Sequence, residues 1–269
     1  MTPPASLADE SLFYAAVLAI YLFSPLSVFS LLFVTAPYGK HSRAGWGPSI
    51  PAPISWFFME SPTLWLSLLL LPFGKHRYNP IALSILSLFF LHYINRTLIY
   101  PLRLSRFRIP GGGSGLPISI VAMAFGFNLF NAYIQIRSVT HYTEYGGRTW
   151  TCGIWTASRV AIGLGIFFGG MAVNVQSDLS LLRLKAKGSG AYKIPRGGWF
   201  ELVSCPNYMG EVAEWLGWAV VAWSPAAFGF ALFTAANLVP RARSHHKWYL
   251  DKFGEDYPRS RKAVVPYVF

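Results

Sequence analysis

The chain has 269 residues, 53% of them apolar and only 13% charged, which excludes an ordinary water-soluble domain. Its net charge of +12 does not require a nucleic-acid partner, because membrane proteins collect Lys and Arg in cytoplasmic loops. Two distant cysteines, Cys152 and Cys205, offer neither a disulfide framework nor a metal-ligand spacing, so no metal is expected.

The opening segment, MTPPASLADES, has no basic n-region and no cleavage pattern, so the first apolar run reads as a retained anchor. Spanning a ~30 Å hydrocarbon layer takes roughly 20 residues. On that basis the chain is all-α, with seven transmembrane helices at about 12–36, 51–73, 80–101, 116–136, 157–176, 200–222 and 225–240. The second is interrupted by Pro62 and carries Glu60, and the sixth opens on a polar stretch, WFELVSCPNYMGEVAEW. Pro and Gly punctuate the connections at APYGK, PGGGSGLP, KGSGAY and PRGG. The segment PGGGSG follows no strand and reads as a flexible loop, not a phosphate cradle. No internal repeat is visible, and residues 1–269 read as one membrane domain. The loops after spans one, three and five, with the tail, hold 17 of the 23 basic residues. That asymmetry predicts a luminal N-terminus and a cytosolic C-terminus, with a basic collar on the cytosolic side.

A charge at the centre of a membrane helix costs roughly 2.5–3.5 kcal/mol, so such groups face an interior cavity and pair. Here Glu60, Arg96, Asp178, Glu211 and Glu214 lie in or beside spans. Tyr93, Arg96 and Tyr100 are spaced i, i+3, i+7, and Asn174 and Asp178 are spaced i, i+4. Asn207, Glu211 and Trp215 follow i, i+4, i+8, as do Arg241, His245 and Tyr249. Each set occupies one face of a helix. Four polar stripes predict a shared cavity filled by a large polar ligand. The sequon Asn95-Arg96-Thr97 lies within an apolar span, where glycosylation is not expected. The tail RARSHHKWYLDKF taken alone is compatible with a membrane-surface helix.

Six stretches carry a resemblance: APYGKHSRAGWGP (36–48), WFFMESPTLW (56–65), LHYINRTLIYPLR (91–103), NVQSDLSLLRLK (174–185), YKIPRGGWFELVSCPNYMGEVAEWLGWA (192–219) and PRARSHHKWYLDKFGEDYPRSRKAVVPYVF (240–269). Together they resemble the steroid 5α-reductase (3-oxo-5α-steroid 4-dehydrogenase) family, and most closely its plant members of brassinosteroid synthesis. The C-terminal stretches alone indicate a wider reductase superfamily. The Glu-bearing second span and the HYxxRT stretch narrow it to steroid reductases.

The resemblance implies a multi-pass enzyme of the endoplasmic reticulum that reduces the C4–C5 double bond of a 3-oxo-Δ4 steroid with NADPH. It implies catalytic roles at the 3-oxo group for Glu60 and Tyr93, and dinucleotide binding by Arg96, Asn174, Asp178, Tyr192, Asn207, Glu211, Arg241, His245 and Tyr249. Lys185 and Lys193 are candidates for its phosphates. The steroid is expected from the membrane past Trp56 and Phe57, with Met59 beside them; animal members carry Gln where Met59 stands. Tyr93 would donate to the 3-oxo oxygen, while Glu60 either orients Tyr93 or, protonated, donates itself. The proton for C4 comes from water or a nearby group. Oligomeric state is left open, a monomer being compatible. Rivals are a polyprenol or enoyl-CoA reductase on the same scaffold, a membrane methyltransferase, and a seven-span receptor or transporter.

Overall fold

The computed structural model describes residues 7–107, 115–151, 153–186 and 192–269. Cys152, most of the glycine-rich stretch 110–115 and the start of the opening segment lie outside them. Seven long helices form the described body: α1 (Leu7–Phe33), α2 (Ala52–Phe73), α3 (Pro80–Arg106), α4 (Ile118–Tyr142), α5 (Gly153–Ala186), α6 (Pro206–Ala222) and α7 (Pro225–Phe253). The first five are long and apolar enough to cross a membrane. α6 has 17 residues, and α7 turns polar after Pro240. Most of α1 is exposed and apolar, with Leu18, Leu22, Leu26 and Phe29 facing outward, as a lipid-bathed helix requires. The single sheet among the described residues is a two-stranded antiparallel pairing, Ser49–Ile50 with Leu116–Pro117. A Cβ at Gly115 would fall 1.8 Å from the Ile50 carbonyl oxygen, so glycine is required there.

Helix starts follow local chemistry. The Asn79 side chain accepts from the amides of Ile81 and Ala82 ahead of Pro80. Ser224 does the same for Ala227 ahead of Pro225. Both are polar caps with proline in the first turn. α2 passes through Pro62 because its neighbours replace what proline removes. Ser61 Oγ donates to the Phe58 carbonyl at 3.1 Å, and Thr63 Oγ1 donates to the Glu60 carbonyl at 2.5 Å. The freed backbone groups are thus satisfied inside the apolar layer, and Glu60 lies at the interruption.

α3 contains a π-helical turn at Asn95–Ile99, just before Pro101. Proline cannot donate to the Thr97 carbonyl, and the widened turn accommodates that loss. α4 ends in a second π-turn, Ser138–Tyr142. The expected sixth span, 200–222, is corrected at its start: the helix begins at Pro206. Residues 202–205 instead pair with the C-terminal tail. Lys262 N donates to the Leu202 carbonyl (3.0 Å), Ser204 N to that of Lys262 (2.8 Å) and Cys205 N to that of Ala263 (3.1 Å). Arg261 secures this tail through the Pro195 carbonyl (2.9 Å) and Glu201 (3.1 Å).

α5 and α6 form the closest helix pair, an antiparallel seam of glycines. A Cβ on Gly170 would lie 2.4 Å from Glu214 N, and one on Gly217 would lie 2.3 Å from Phe167 N. Gly163 and Gly210 are equally constrained, at 2.6 and 2.5 Å from their neighbours. Small residues let membrane helices approach to backbone contact. This seam sets Asn174 and Asp178 on α5 opposite Asn207 and Glu211 on α6.

Candidate active site

Across the glycine seam, Asn174 Nδ2 donates to the Asn207 carbonyl (3.0 Å) and to Glu211 Oε2 (3.3 Å), and Asn207 Nδ2 donates to Asp178 Oδ1 (3.1 Å). Arg96, from the π-turn of α3, completes the network by pairing with Asp178 at 3.2 Å and Glu211 at 3.3 Å. Its guanidinium also lies over the rings of Trp56 (4.6 Å) and Tyr100 (5.3 Å). One cation facing two carboxylates in a low-dielectric site is strongly held.

Beside this network stand Tyr93 and Glu60, both ordered by α4. Asn131 Nδ2 donates to the Tyr93 hydroxyl oxygen (3.3 Å). Asn128 Nδ2 donates to Glu60 Oε2 (3.1 Å) and to the Met59 carbonyl (2.7 Å). Asn128 and Asn131 are three residues apart, about 4.5 Å along the helix axis, so the two groups they hold are neighbours. Glu60 lies near Arg96, Glu211 and His92. The Tyr93 ring packs on Phe89 (4.6 Å) and Trp215 (5.6 Å). His92 pairs with the fully buried Glu214 at 2.8 Å.

The track continues along α7. Tyr208, next to Asn207, accepts from Arg241 (3.2 Å) and bonds His245 (3.2 Å), which in turn bonds His41 (3.2 Å). Arg241 also donates to Asn237 (3.0 Å) and lies over the Tyr38 ring (5.1 Å). A small cleft of about 10 Å³, room for a single water, opens here, lined by Thr35, Tyr38, His41, Arg241 and His245 among others. Further on, Lys40 lies over the rings of Tyr249 (3.8 Å) and Trp248 (4.7 Å), and Tyr192 meets Trp248 at 4.9 Å. Burial pushes the Lys40 ammonium down to about 8. Burial first, then Lys40 and Arg43, lowers His41.

The structure therefore joins Arg96, Asn174, Asp178, Asn207 and Glu211 directly, with Tyr93 and Glu60 at one end and Arg241, His245, Tyr249 and Tyr192 at the other. Trp56 borders the junction through Arg96, and Phe57 is exposed on the outer side of α2. Met59 is buried in a small cluster with Leu116 and Val121. Lys185 is exposed at the end of α5 and Lys193 is exposed in the following segment. Sequence reasoning missed Asn128, Asn131 and Gln135, although they share the i, i+3, i+7 spacing used for the other stripes. It also missed Lys40, His41 and Tyr208, the first two of which lie outside the long helices and carry no periodicity.

A bundle of apolar helices enclosing a paired, half-charged polar track defines a membrane protein with a built polar site in its interior. A profile of the family described as 3-oxo-5-alpha-steroid 4-dehydrogenase matches residues 114–269. The chain is 54% identical to steroid 5-alpha-reductase DET2 of Arabidopsis thaliana over 98% of this chain and 99% of that one. It is 39% identical to 3-oxo-5-alpha-steroid 4-dehydrogenase 1 of Rattus norvegicus, over 90% of each. With the human protein of the same name it shares 38% identity over 86% of each. The chain belongs to the 3-oxo-5-alpha-steroid 4-dehydrogenase family and is an oxidoreductase.

Proposed function

We propose that this protein reduces the C4–C5 double bond of a 3-oxo-Δ4 steroid to the 5α product with NADPH, as a step of brassinosteroid synthesis. In this reading residues 1–269 form one domain of seven spans in the endoplasmic reticulum membrane, N-terminus luminal and C-terminus cytosolic. The short α6 and the apolar first half of α7 supply the sixth and seventh spans. The observation that carries the reading is the placement of Tyr93 and Glu60, held side by side by α4, against the Arg96 network.

The residues suit a dinucleotide phosphate. Arg241 has no carboxylate partner among the described residues, only an amide and a phenol, so its charge is available to a phosphate. Asn174, Asp178, Asn207 and Glu211 offer the mixed donors and acceptors that a carboxamide and ribose hydroxyls demand. Bound NADPH supplies the hydride that reaches C5. Tyr93 donates a hydrogen bond to the 3-oxo oxygen, where negative charge builds as C5 accepts that hydride. Glu60 orients Tyr93 or, protonated, donates to the same oxygen. The resulting enolate takes a proton at C4 from water or a nearby group and returns to the ketone. Phe57 and Trp56 line the approach of the flat apolar substrate from the membrane, and the aromatic wall of Phe89 and Trp215 keeps water from Tyr93.

Turnover of progesterone, as a 3-oxo-Δ4 probe, by microsomes carrying the full chain tests the reading. The 5α product is expected with NADPH and far less with NADH, and Tyr93→Phe should lower turnover about 100-fold. Retained NADPH binding with every 3-oxo-Δ4 steroid left untouched would move a polyprenol or enoyl reductase to first place.

A further inference from the structure

The fourth helix does more than hold Tyr93 in place. Asn131 and Gln135 are both fully buried on α4, and Tyr93 is 3% exposed. Gln135 Nε2 donates to the Ala226 carbonyl at 3.0 Å and to Asn131 Oδ1 at 3.2 Å, and Asn131 Nδ2 donates to the Tyr93 oxygen at 3.3 Å. The sense of this chain begins at a group that cannot be reversed. A backbone carbonyl only accepts, so the NH2 end of Gln135 must face Ala226. That NH2 end makes the Asn131 oxygen an acceptor, which turns the Asn131 NH2 toward Tyr93. A phenol whose oxygen is already accepting directs its single proton elsewhere. No described residue accepts that proton.

We propose that Asn131 and Gln135 are positioning residues that fix the Tyr93 hydroxyl as a donor toward the substrate ketone, an inference that rests on the role of Tyr93 proposed above. The arrangement carries a penalty that simple helix adhesion would avoid. Gln135 Oε1 is buried without a partner, and a buried unsatisfied acceptor costs about 1–3 kcal/mol. Leucines at both positions would pack the same helices without it. The buried amides are accounted for by the polarity they transmit. The site gains a donor already pointed at the place where charge develops, so no reorientation is needed during reaction.

Directionality makes a test that separates this role from a structural one. Asn131→Asp presents a carboxylate that only accepts, captures the Tyr93 proton and withdraws it from the ketone. Asn131→Leu removes the donor and leaves that proton free. If the amide served only to join helices, the leucine variant, which loses the bond entirely, would be at least as harmful. The measurement is kcat for progesterone with NADPH in the full chain, with NADPH retention and monodisperse elution as checks on folding. Asn131→Asp should lower kcat about 100-fold, the loss typical of removing one oxyanion donor, and Asn131→Leu by less than tenfold. Gln135→Met, which introduces no charge, frees the Asn131 amide to turn and should lower kcat about tenfold; it decides the matter if the aspartate variant does not fold. On a Tyr93→Phe background all three should be silent, since there is no proton left to direct. Leucine as harmful as aspartate, or an effect that persists without the Tyr93 hydroxyl, would overturn the relay while leaving Tyr93 as the donor. Full activity of Tyr93→Phe alone would remove the role of Tyr93 and the relay with it.

Discussion

Gly210→Ala tests whether the α5–α6 seam positions the residues proposed to bind the cofactor. The added Cβ would lie 2.5 Å from Asn174 N and 2.6 Å from the Gly170 carbonyl oxygen, where ordinary contact begins near 3.4 Å. Both neighbours are backbone, so no side chain can swing away and the helices must part by about 1 Å. The bonds from Asn174 to the Asn207 carbonyl and to Glu211, now 3.0 and 3.3 Å, would stretch toward 4 Å and fail. One is neutral and one is charge-assisted, so their joint loss costs about 2–4 kcal/mol. If half of that appears in the binding step, NADPH affinity falls roughly 5- to 30-fold. A 1 Å misplacement of the reacting groups lowers turnover by up to about 100-fold. The assay is NADPH titration by nicotinamide fluorescence in detergent, followed by steroid turnover. Gly169→Ala, one residue from Gly170 but with nothing within 4 Å of its new Cβ, is the matched control. It should be neutral or slightly stabilising, as alanine for glycine in an open helix face usually is. A folded Gly210→Ala variant with wild-type NADPH affinity, or equal losses in both variants, would refute the seam's role.

Arg241→Ala should raise the KM for NADPH at least tenfold and leave the steroid KM unchanged, because Arg241 meets Tyr208 and Asn237 and lies remote in the track from Tyr93; a shifted steroid preference would contradict this. Glu60→Gln should lower kcat far more than NADPH affinity, because Asn128 holds the side chain at the Tyr93 end of the track; equal losses of both would assign Glu60 a structural role. Lys40 gives a pH signature. Its folded pKa of about 8 lies below the ordinary 10.5, so the charged form is penalised in the folded state. The penalty is complete below about pH 8 and disappears as pH rises toward 10.5. It amounts to about 3 kcal/mol, against about 1–2 kcal/mol returned by the two aromatic faces. Lys40→Met should therefore raise Tm at pH 7 and lose most of that advantage at pH 9.5, as read by differential scanning fluorimetry.

How much of this was legible in the sequence depended on whether the controlling interaction was local. Apolar runs gave the helices, since burial in oil selects long apolar segments residue by residue. The spacing of Asn174 with Asp178 and of Asn207 with Glu211 placed each pair on one helix face, and the structure joins all four to Arg96. Asn128, Asn131 and Gln135 obey the same spacing but carry no charge, and three amides in a long apolar run scarcely alter its hydropathy. The start of α6 is not legible for a different reason. Residues 202–205 bond to residues about 60 positions away, and no local propensity records that pairing. The tail after Pro240, compatible by composition with a surface helix, instead continues α7 and carries Arg241, His245 and Tyr249 to His41, Lys40 and Tyr208.

Periodicity thus reveals that a polar face needs a partner but not which partner it meets. Here the choice is made by glycines. Gly163 and Gly170 on α5, and Gly210 and Gly217 on α6, recur at seven-residue intervals, two turns of a helix. Antiparallel pairing brings Gly170 against Gly210 and Gly163 against Gly217. With that register set by backbone contact, Asn174 falls opposite Asn207 and Glu211, and a shift of one turn would carry it past them. The polar residues of the track need the charged partners, but the residues that assign those partners have no side chain at all.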